Sequence, residues 1–465
     1  ELRSVRERQG TAYRHLLAAF AAAPRAVASF PRGDLRSSSR RLPSRWLLGT
    51  LRELSGDHGL ALSRWDRVGD LDGQLRTSPS FSAELLHTPD PATRQEWRAR
   101  AATAGALEDG VVTAATDMLR ARAGSVFTRF DGDLSGCEGL PDHRTGDPTL
   151  APTALEQYVD CPHAFFVRRL LRVEPLDQPE DVVEVSPADI GNLVHRCVER
   201  LVTEDPEALP SFGAPWTAEQ RTRLVQIARE EAAELERTGL TGHPRLWQRE
   251  RDRIEVDLAA MLVADDEWRA QHDAKVVASE LAFGRAGEPP VGLPVPGGRV
   301  LLRGSIDKVD LGRDGTVYVT DIKTGRSNGY RGITAEDPLA GATRFQLPVY
   351  AIAARSRLDA PDASVRAEYW FVRRDSGRIG IDVDEQVLTT LAETVGSLVG
   401  FAAQGLYPPR PPVEADYSYV QCRYCNPDGL GHGAARERWE RQRHDPALEG
   451  LLAVLEPDAA AEGEA

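Results

Sequence analysis

Apolar and polar positions alternate along Val300, Leu302 and Gly304, and again along Val317, Val319 and Asp321. A period of two residues suits half-buried β-strands, and Arg313-Asp314-Gly315 between the runs has the chemistry of a tight turn. The two segments therefore read as a hairpin. With further strands they form a central mixed sheet from about 274–283, 299–310, 315–323 and 365–374, and one more strand follows Arg378. Helical segments are expected around His195, around Gln346–Tyr350 and over Glu385–Gln404, so the fold class is α/β. Long helices at Ala218–Leu240 and Gln248–Gln271 read as an insertion covering about 213–273. Residues 1–130 are helical in composition, with runs such as Thr11–Ala23 and Ala92–Ala106. The Gly-, Asp- and Pro-rich stretch 131–152 reads as a linker into a main domain at 153–445. Residues 446–465, rich in Ala, Glu and Asp, read as an acidic tail or frayed helix.

The hairpin also carries the candidate chemistry. It brings Asp307, Asp321 and Lys323 to one edge of the sheet. Two carboxylates and one backbone carbonyl suit a hard, oxygen-seeking cation such as Mg²⁺. A lysine beside them can orient an attacking water and steady charge on a phosphate. Taken alone, the Asp-x-Lys triplet equally suits the solvated end of a hairpin. Composition sharpens the picture: of 57 Lys+Arg only Lys275, Lys308 and Lys323 are lysines, all within one 49-residue window. Arginine can replace surface lysines, but not a compact ammonium beside a reacting phosphate.

The flanking motifs carry a family resemblance. Gly191-Asn192-Leu193-Val194-His195 resembles the Gly-x-x-x-His helix of RecB-like nucleases of the PD-(D/E)XK superfamily. Phe345-Gln346-Leu347-Pro348-Val349-Tyr350 is similar to their Gln-x-x-x-Tyr helix. Tyr158-Val159-Asp160-Cys161-Pro162-His163-Ala164-Phe165-Phe166 resembles their Tyr-x-x-Cys-Pro-x-x-Phe-Phe segment. The motifs, in this order over about residues 150–430, look like the C-terminal nuclease of AddB-type helicase–nuclease subunits. The resemblance implies a PD-(D/E)XK core. His195, Asp307, Asp321 and the Ile322 carbonyl would hold Mg²⁺ or Mn²⁺, and Lys323 would be the catalytic lysine. Glu280 matches an acidic residue on the preceding strand. Gln346 and Tyr350, one helical turn apart and so on one face, would support the site.

Five cysteines, no signal peptide and no apolar run near 18 residues point to a reducing, cytoplasmic setting without a membrane span. Cys422 and Cys425 have a spacing that grips one metal or cluster. In AddB-type nucleases one cysteine of the Tyr-x-x-Cys-Pro segment joins three near the C-terminus around a 4Fe–4S cluster. Cys161, Cys422 and Cys425 match three of those positions, and His432 stands near the fourth. A Cys3His iron–sulfur cluster, a structural Zn²⁺ with the same ligands, and loss of the cluster all remain open.

The chain begins at Glu1, and its first residues resemble the last segment of a helicase-like motor. With no Gly-x-x-x-x-Gly-Lys-Ser/Thr it should not hydrolyse ATP, so it reads as a C-terminal fragment or a subunit whose motor lies elsewhere. Its net charge of −14 opposes DNA binding. Arg168, Arg169 and Arg172, with Arg373 and Arg374, nonetheless stand beside aromatic residues and suit a single-strand groove, and a helicase–nuclease partner would complete the channel. The expected function is a metal-dependent DNA exonuclease that acts on single strands or duplex ends in double-strand break processing. The alternative is a catalytically minor scaffold subunit that binds DNA.

Overall fold

The computed structural model describes residues 5–31, 41–68, 74–76, 91–108, 110–174, 182–373, 377–411 and 433–456. It divides into two units, one of Gly132–Pro408 with Pro446–Ala465, the other of Glu1–Asp131 with Pro409–Asp445. In the first unit, helix α1 (Pro152–Asp160) precedes α2 (Pro187–Thr203), α3 (Ala218–Arg237) and α4 (Pro244–Gln271). Strands β1 (Ala274–Phe283), β2 (Val291–Val295), β3 (Gly298–Leu302), β4 (Gly304–Gly312) and β5 (Val317–Lys323) follow. Helix α5 (Gln346–Arg357) leads to β6 (Val365–Phe371) and β7 (Gly377–Asp382), and then to α6 (Glu385–Ala403) and α7 (Glu449–Leu455).

The main sheet has the order β1-β4-β5-β6-β7. Its pairs are antiparallel except β5 with β6, which are parallel and joined through α5. A parallel pair needs a long crossover, and α5 supplies it. The expected single strand 299–310 is two strands. β3 pairs with β2 in a separate ribbon, while β4 enters the main sheet. The break lies at Arg303-Gly304, where a Cβ on Gly304 would stand 2.7 Å from the Phe283 ring.

Side-chain alternation assigns the two faces of the sheet. Ile322, Trp370 and Val276 face a core built with α2, α3 and α4, including Leu193, Val194, Cys197, Leu224, Ile227 and Leu258. Asp321 and Lys323, one residue either side of Ile322, therefore face the opposite layer, where α5 buries Leu347, Val349, Ala351 and Ala354. α4 is fixed to the sheet by a buried ionic cluster. Lys308 Nζ lies 2.9 Å from Asp265 Oδ1 and 2.5 Å from Asp310 Oδ2. Arg269 reaches Asp265 Oδ2 at 2.8 Å, and the Trp216 indole donates to that same oxygen at 2.8 Å. Lys308 thus serves the fold, and Lys275 lies over the Phe212 ring at 4.8 Å. Of the three lysines, only Lys323 enters the candidate site.

Residues 132–151, read from composition as a linker, are woven into the first unit. Tyr407 N donates to Gly132 O at 2.8 Å, and Leu150 N donates to Leu301 O at 2.8 Å. Residues 446–456 also belong to it: Leu448, Leu451 and Leu455 are buried, and α7 packs against α6. Leucines three and four apart make an apolar stripe that the acidic average composition hides. The second unit is helical, with helices Val5–Ala21, Leu48–Ser55, Arg94–Thr103, Gly110–Ala123 and Gly433–Gln442. Within it Phe127 N donates to Asp445 Oδ2 at 2.9 Å, and Gln442 Nε2 donates to Val126 O at 3.2 Å. No helix among the described residues is long and apolar enough to cross a membrane.

Candidate active site

α2 starts sharply: Ser186 accepts from Asp189 N, and Pro187 occupies the first helical turn. Its apolar stripe faces the core, which leaves Gly191 and His195 on the side that meets the end of β5. The helix passes so close that a Cβ on Gly191 would already touch Thr324 Oγ1 at 3.5 Å. This approach lets His195 Nε2 reach the Ile322 carbonyl at 2.9 Å. His195 Nδ1 then stands 3.3 Å from Asp307 Oδ1 and 3.7 Å from Glu280 Oε1. Ligand atoms of His195, Glu280 and Asp307 all lie within 4.8 Å of one another.

Two features place the carboxylates. The β1–β4 register shifts between Val276 and Ala278, and Glu280 adopts a left-handed φ of 49°. A bulge of this kind bends a strand and re-aims a side chain, and such backbone strain concentrates at functional sites. Asp307 is anchored from both ends: its carbonyl accepts from Ser279 Oγ at 2.6 Å, and its Oδ2 accepts from Ile322 N at 2.6 Å. That second bond links β4 to β5 beside the His195–Glu280–Asp307 group.

The other half of the site is a chain of polar contacts on the α5 face. Lys323 Nζ lies 2.5 Å from Asp321 Oδ2 and donates to Gln346 Oε1 at 3.2 Å. Gln346 Nε2 donates to Asp321 Oδ1 at 2.9 Å and contacts the Tyr350 hydroxyl at 3.0 Å. One amide therefore holds both members of the Asp321–Lys323 pair. Three residues not anticipated from sequence support this arrangement. Tyr369 places its ring 5.2 Å from Lys323 Nζ, and Tyr330 packs on Tyr369. Glu156 accepts from Phe345 N at 3.0 Å, setting a carboxylate at the start of α5, where the helix dipole favours negative charge. Only its position on α1, just before the Tyr158 motif, hints at this in the sequence.

Burial and close charges set the protonation states. Burial opposes the His195 imidazolium, but Asp307 and Glu280 outweigh it and raise its pKa to about 10. Burial pushes Asp321 up to about 7, with Lys323 opposing and Asp307 adding to the rise. Burial also opposes the Lys323 ammonium, yet Asp321 raises it above the ordinary lysine value. The His195 hydrogen bond lowers Glu280 against its burial. A carboxylate pair beside one imidazole is a donor set that suits a divalent cation in place of the proton on His195.

Residues 149–428 match the PD-(D/E)XK nuclease superfamily. The chain belongs to this superfamily. It is 31% identical over 227 residues to an ATP-dependent helicase/deoxyribonuclease subunit of Desulforudis audaxviator, covering 44% of this chain and 18% of that protein. The protein of the same name from Ruminiclostridium cellulolyticum is 26% identical over 191 residues, covering 39% and 16%. That of Lacticaseibacillus paracasei is 22% identical over 386 residues, covering 81% and 32%. The chain thus spans less than a third of the length of these relatives.

Within the superfamily fold, the expected site residues fall into two groups. His195, Glu280 and Asp307, with the Ile322 carbonyl against His195, form a group that could hold a metal ion. Asp321, Lys323, Gln346 and Tyr350 form the polar chain, so Asp321 pairs with Lys323 and does not join that group. The arginines separate further. Arg373 is already paired: its guanidinium contacts Asp257 and Glu250 at 2.6 Å each, and its side chain is only 7% exposed. The β-strand before it ends where α4 offers these acids, a tertiary contact that local sequence does not show. Arg168 and Arg172 are not buried, and Arg169 donates to Gln157 Oε1 at 3.0 Å. Arg374 lies outside the described residues. Cys161 is buried at the end of α1, and Cys422, Cys425 and His432 lie outside the described residues.

Proposed function

We propose that this chain is a metal-dependent deoxyribonuclease that hydrolyses phosphodiester bonds while processing DNA ends. The observation that carries the reading is the meeting of two groups around Asp307: the His195–Glu280–Asp307 cluster and the Asp321–Lys323 pair held by Gln346. His195, Glu280 and Asp307 would hold Mg²⁺ or Mn²⁺. Bound there, the cation supplies Lewis acidity toward a phosphodiester oxygen.

The chain's own residues do the positioning. Lys323 keeps its proton and offers a fixed positive charge to a phosphate oxygen as negative charge builds there. Asp321 and Gln346 restrain that ammonium to one location, so little reorganisation is needed when the phosphate reacts. Water attacks phosphorus, the P–O bond to the leaving oxygen breaks, and that oxygen takes up a proton. Tyr350 fixes the far side of Gln346. The relatives' name, which makes them subunits of an ATP-dependent helicase/deoxyribonuclease, supports a role in DNA repair alongside a partner. Cys161, Cys422, Cys425 and His432 are proposed as a separate structural centre for an iron–sulfur cluster or Zn²⁺.

The test is cleavage of labelled single-stranded and duplex DNA with Mg²⁺ or Mn²⁺ by the full chain and by Lys323→Ala and Asp307→Ala. Loss of the lysine should lower kcat by about 10²–10³, the scale for removing one charge-stabilising donor. Cleavage unchanged in both variants would refute the assignment. Wild-type protein that binds DNA and never cuts it would favour the scaffold reading.

A further inference from the structure

The cleft beside the ligand cluster has a cationic wall to which no role has yet been given. Its volume is about 460 Å³, and His195, Glu280 and Asp307 line it together with Arg285, Arg303 and the start of α1. Arg303 stands at the break between β3 and β4. Its backbone N–H donates to Leu150 O at 2.9 Å, so the residues leading into α1 run paired alongside it. α1 begins at Pro152, preceded by Ala151, which offers no side-chain cap. The exposed Thr153 therefore presents its backbone N–H at this helix start with no protein partner among the described residues.

Arg303 is exposed, and its guanidinium has no partner among the described residues. Arg285 differs: it reaches Glu280 Oε2 at 3.2 Å, with half its side chain in solvent. One arginine is thus tied to the ligand cluster, while a second is free beside an uncapped helix start. A fork of donors and a helix N-terminus both suit a phosphate. Neutral or apolar ligands would leave these groups without a match.

We propose that Arg303, with the Thr153 N–H and Arg285, binds a backbone phosphate of the DNA strand next to the phosphate at the His195–Glu280–Asp307 cluster. The inference rests on the nuclease reading and deepens it by naming the positioning site of the strand. It routes the DNA over the β1–β4 side of the cleft, which Arg285 and Arg303 line.

The experiment measures binding of a fluorescein-labelled oligothymidylate to the full chain in EDTA by anisotropy across a salt series. Arg303→Ala should weaken binding about tenfold and reduce the salt slope by about 0.7, the share of one single-strand phosphate contact. Arg303→Lys should keep the slope, because it keeps the charge, whereas a merely structural role would not be rescued in this way. If Arg303→Ala loses its thermal transition, Arg303→Gln is read in its place. An unchanged slope in the neutral variant overturns the inference, as does a slope that falls only in Arg168→Ala with Arg172→Ala. Protein that shows the Arg303-dependent slope but never cleaves with Mn²⁺ upholds the phosphate site and refutes the nuclease reading. Protein that cleaves with no Arg303-dependent slope does the reverse.

Discussion

His195 illustrates how single residues in this site are governed by their neighbours. In the metal-free protein its pKa is raised to about 10, from an ordinary value near 6.5. A raised folded-state pKa means that the protonated imidazole stabilises the fold fully below about pH 6.5, and that this contribution fades as pH climbs toward about 10. Thermal unfolding in EDTA at about pH 6, 8 and 10 should therefore show a falling Tm, and His195→Ala should flatten the trend. A steep fall retained in the variant would assign the trend to another group. Because a metal must displace that proton, affinity for Mn²⁺ should rise with pH over the same range. The candidates for this site were legible in the sequence, since Asp307, Asp321, Lys323, Gln346 and Tyr350 stand at recognisable spacings. Their grouping was not: the Asp321–Lys323 ion pair depends on burial and on Gln346, which arrives from another element.

Among the elements, the insertion helix α4 is fastened to the sheet by the buried Asp265–Lys308–Asp310 cluster. Asp265 contacts Lys308, Arg269 and the Trp216 indole at once. Burial works against its charge, yet Lys308 and Arg269 hold its pKa down to about 2. Removing one partner from such a cluster leaves charges buried without compensation. Asp265→Ala is accordingly expected to destabilise the protein by about 3–5 kcal/mol in chemical denaturation. A loss under about 1 kcal/mol would mean that water enters and relieves the excess positive charge left on Lys308 and Arg269. Strand limits were legible wherever alternation was clean, as at Ala274–Phe283, and failed at 299–310. There the apolar pattern runs through Arg303 without interruption. At the break, contacts from distant segments meet: the Arg303 N–H donates to Leu150 O, and Gly304 lies close under the Phe283 ring.

For the molecule as a whole, net charge and metal content make the sharpest predictions. At −14 the isolated chain should bind DNA weakly, with affinity falling steeply with added salt, and should gain from a basic partner. An anaerobic preparation should contain iron and sulfide, or about one zinc per chain. Cys161→Ser should lose that metal while the Asp307 site keeps its Mn²⁺ affinity. Protein with neither metal would show Cys161 to be an ordinary buried thiol. Composition misjudged two boundaries at this level. The Gly- and Pro-rich stretch at 132–151 is paired into the first unit, and the acidic end holds Leu448, Leu451 and Leu455 in its core.

Alternation and turn chemistry are local properties of the chain, and they were enough for the α/β class; the resemblance of its motifs pointed to the superfamily and nominated residues for the candidate site. Composition also singled out three lysines, but it took packing to assign Lys323 to the site and Lys308 to the core. The same distinction separates Arg373, paired with Asp257 and Glu250, from Arg303, whose guanidinium has no partner among the described residues. An arginine's role depends on which carboxylates lie within about 4 Å of it. Distant segments settle that distance only when they pack together.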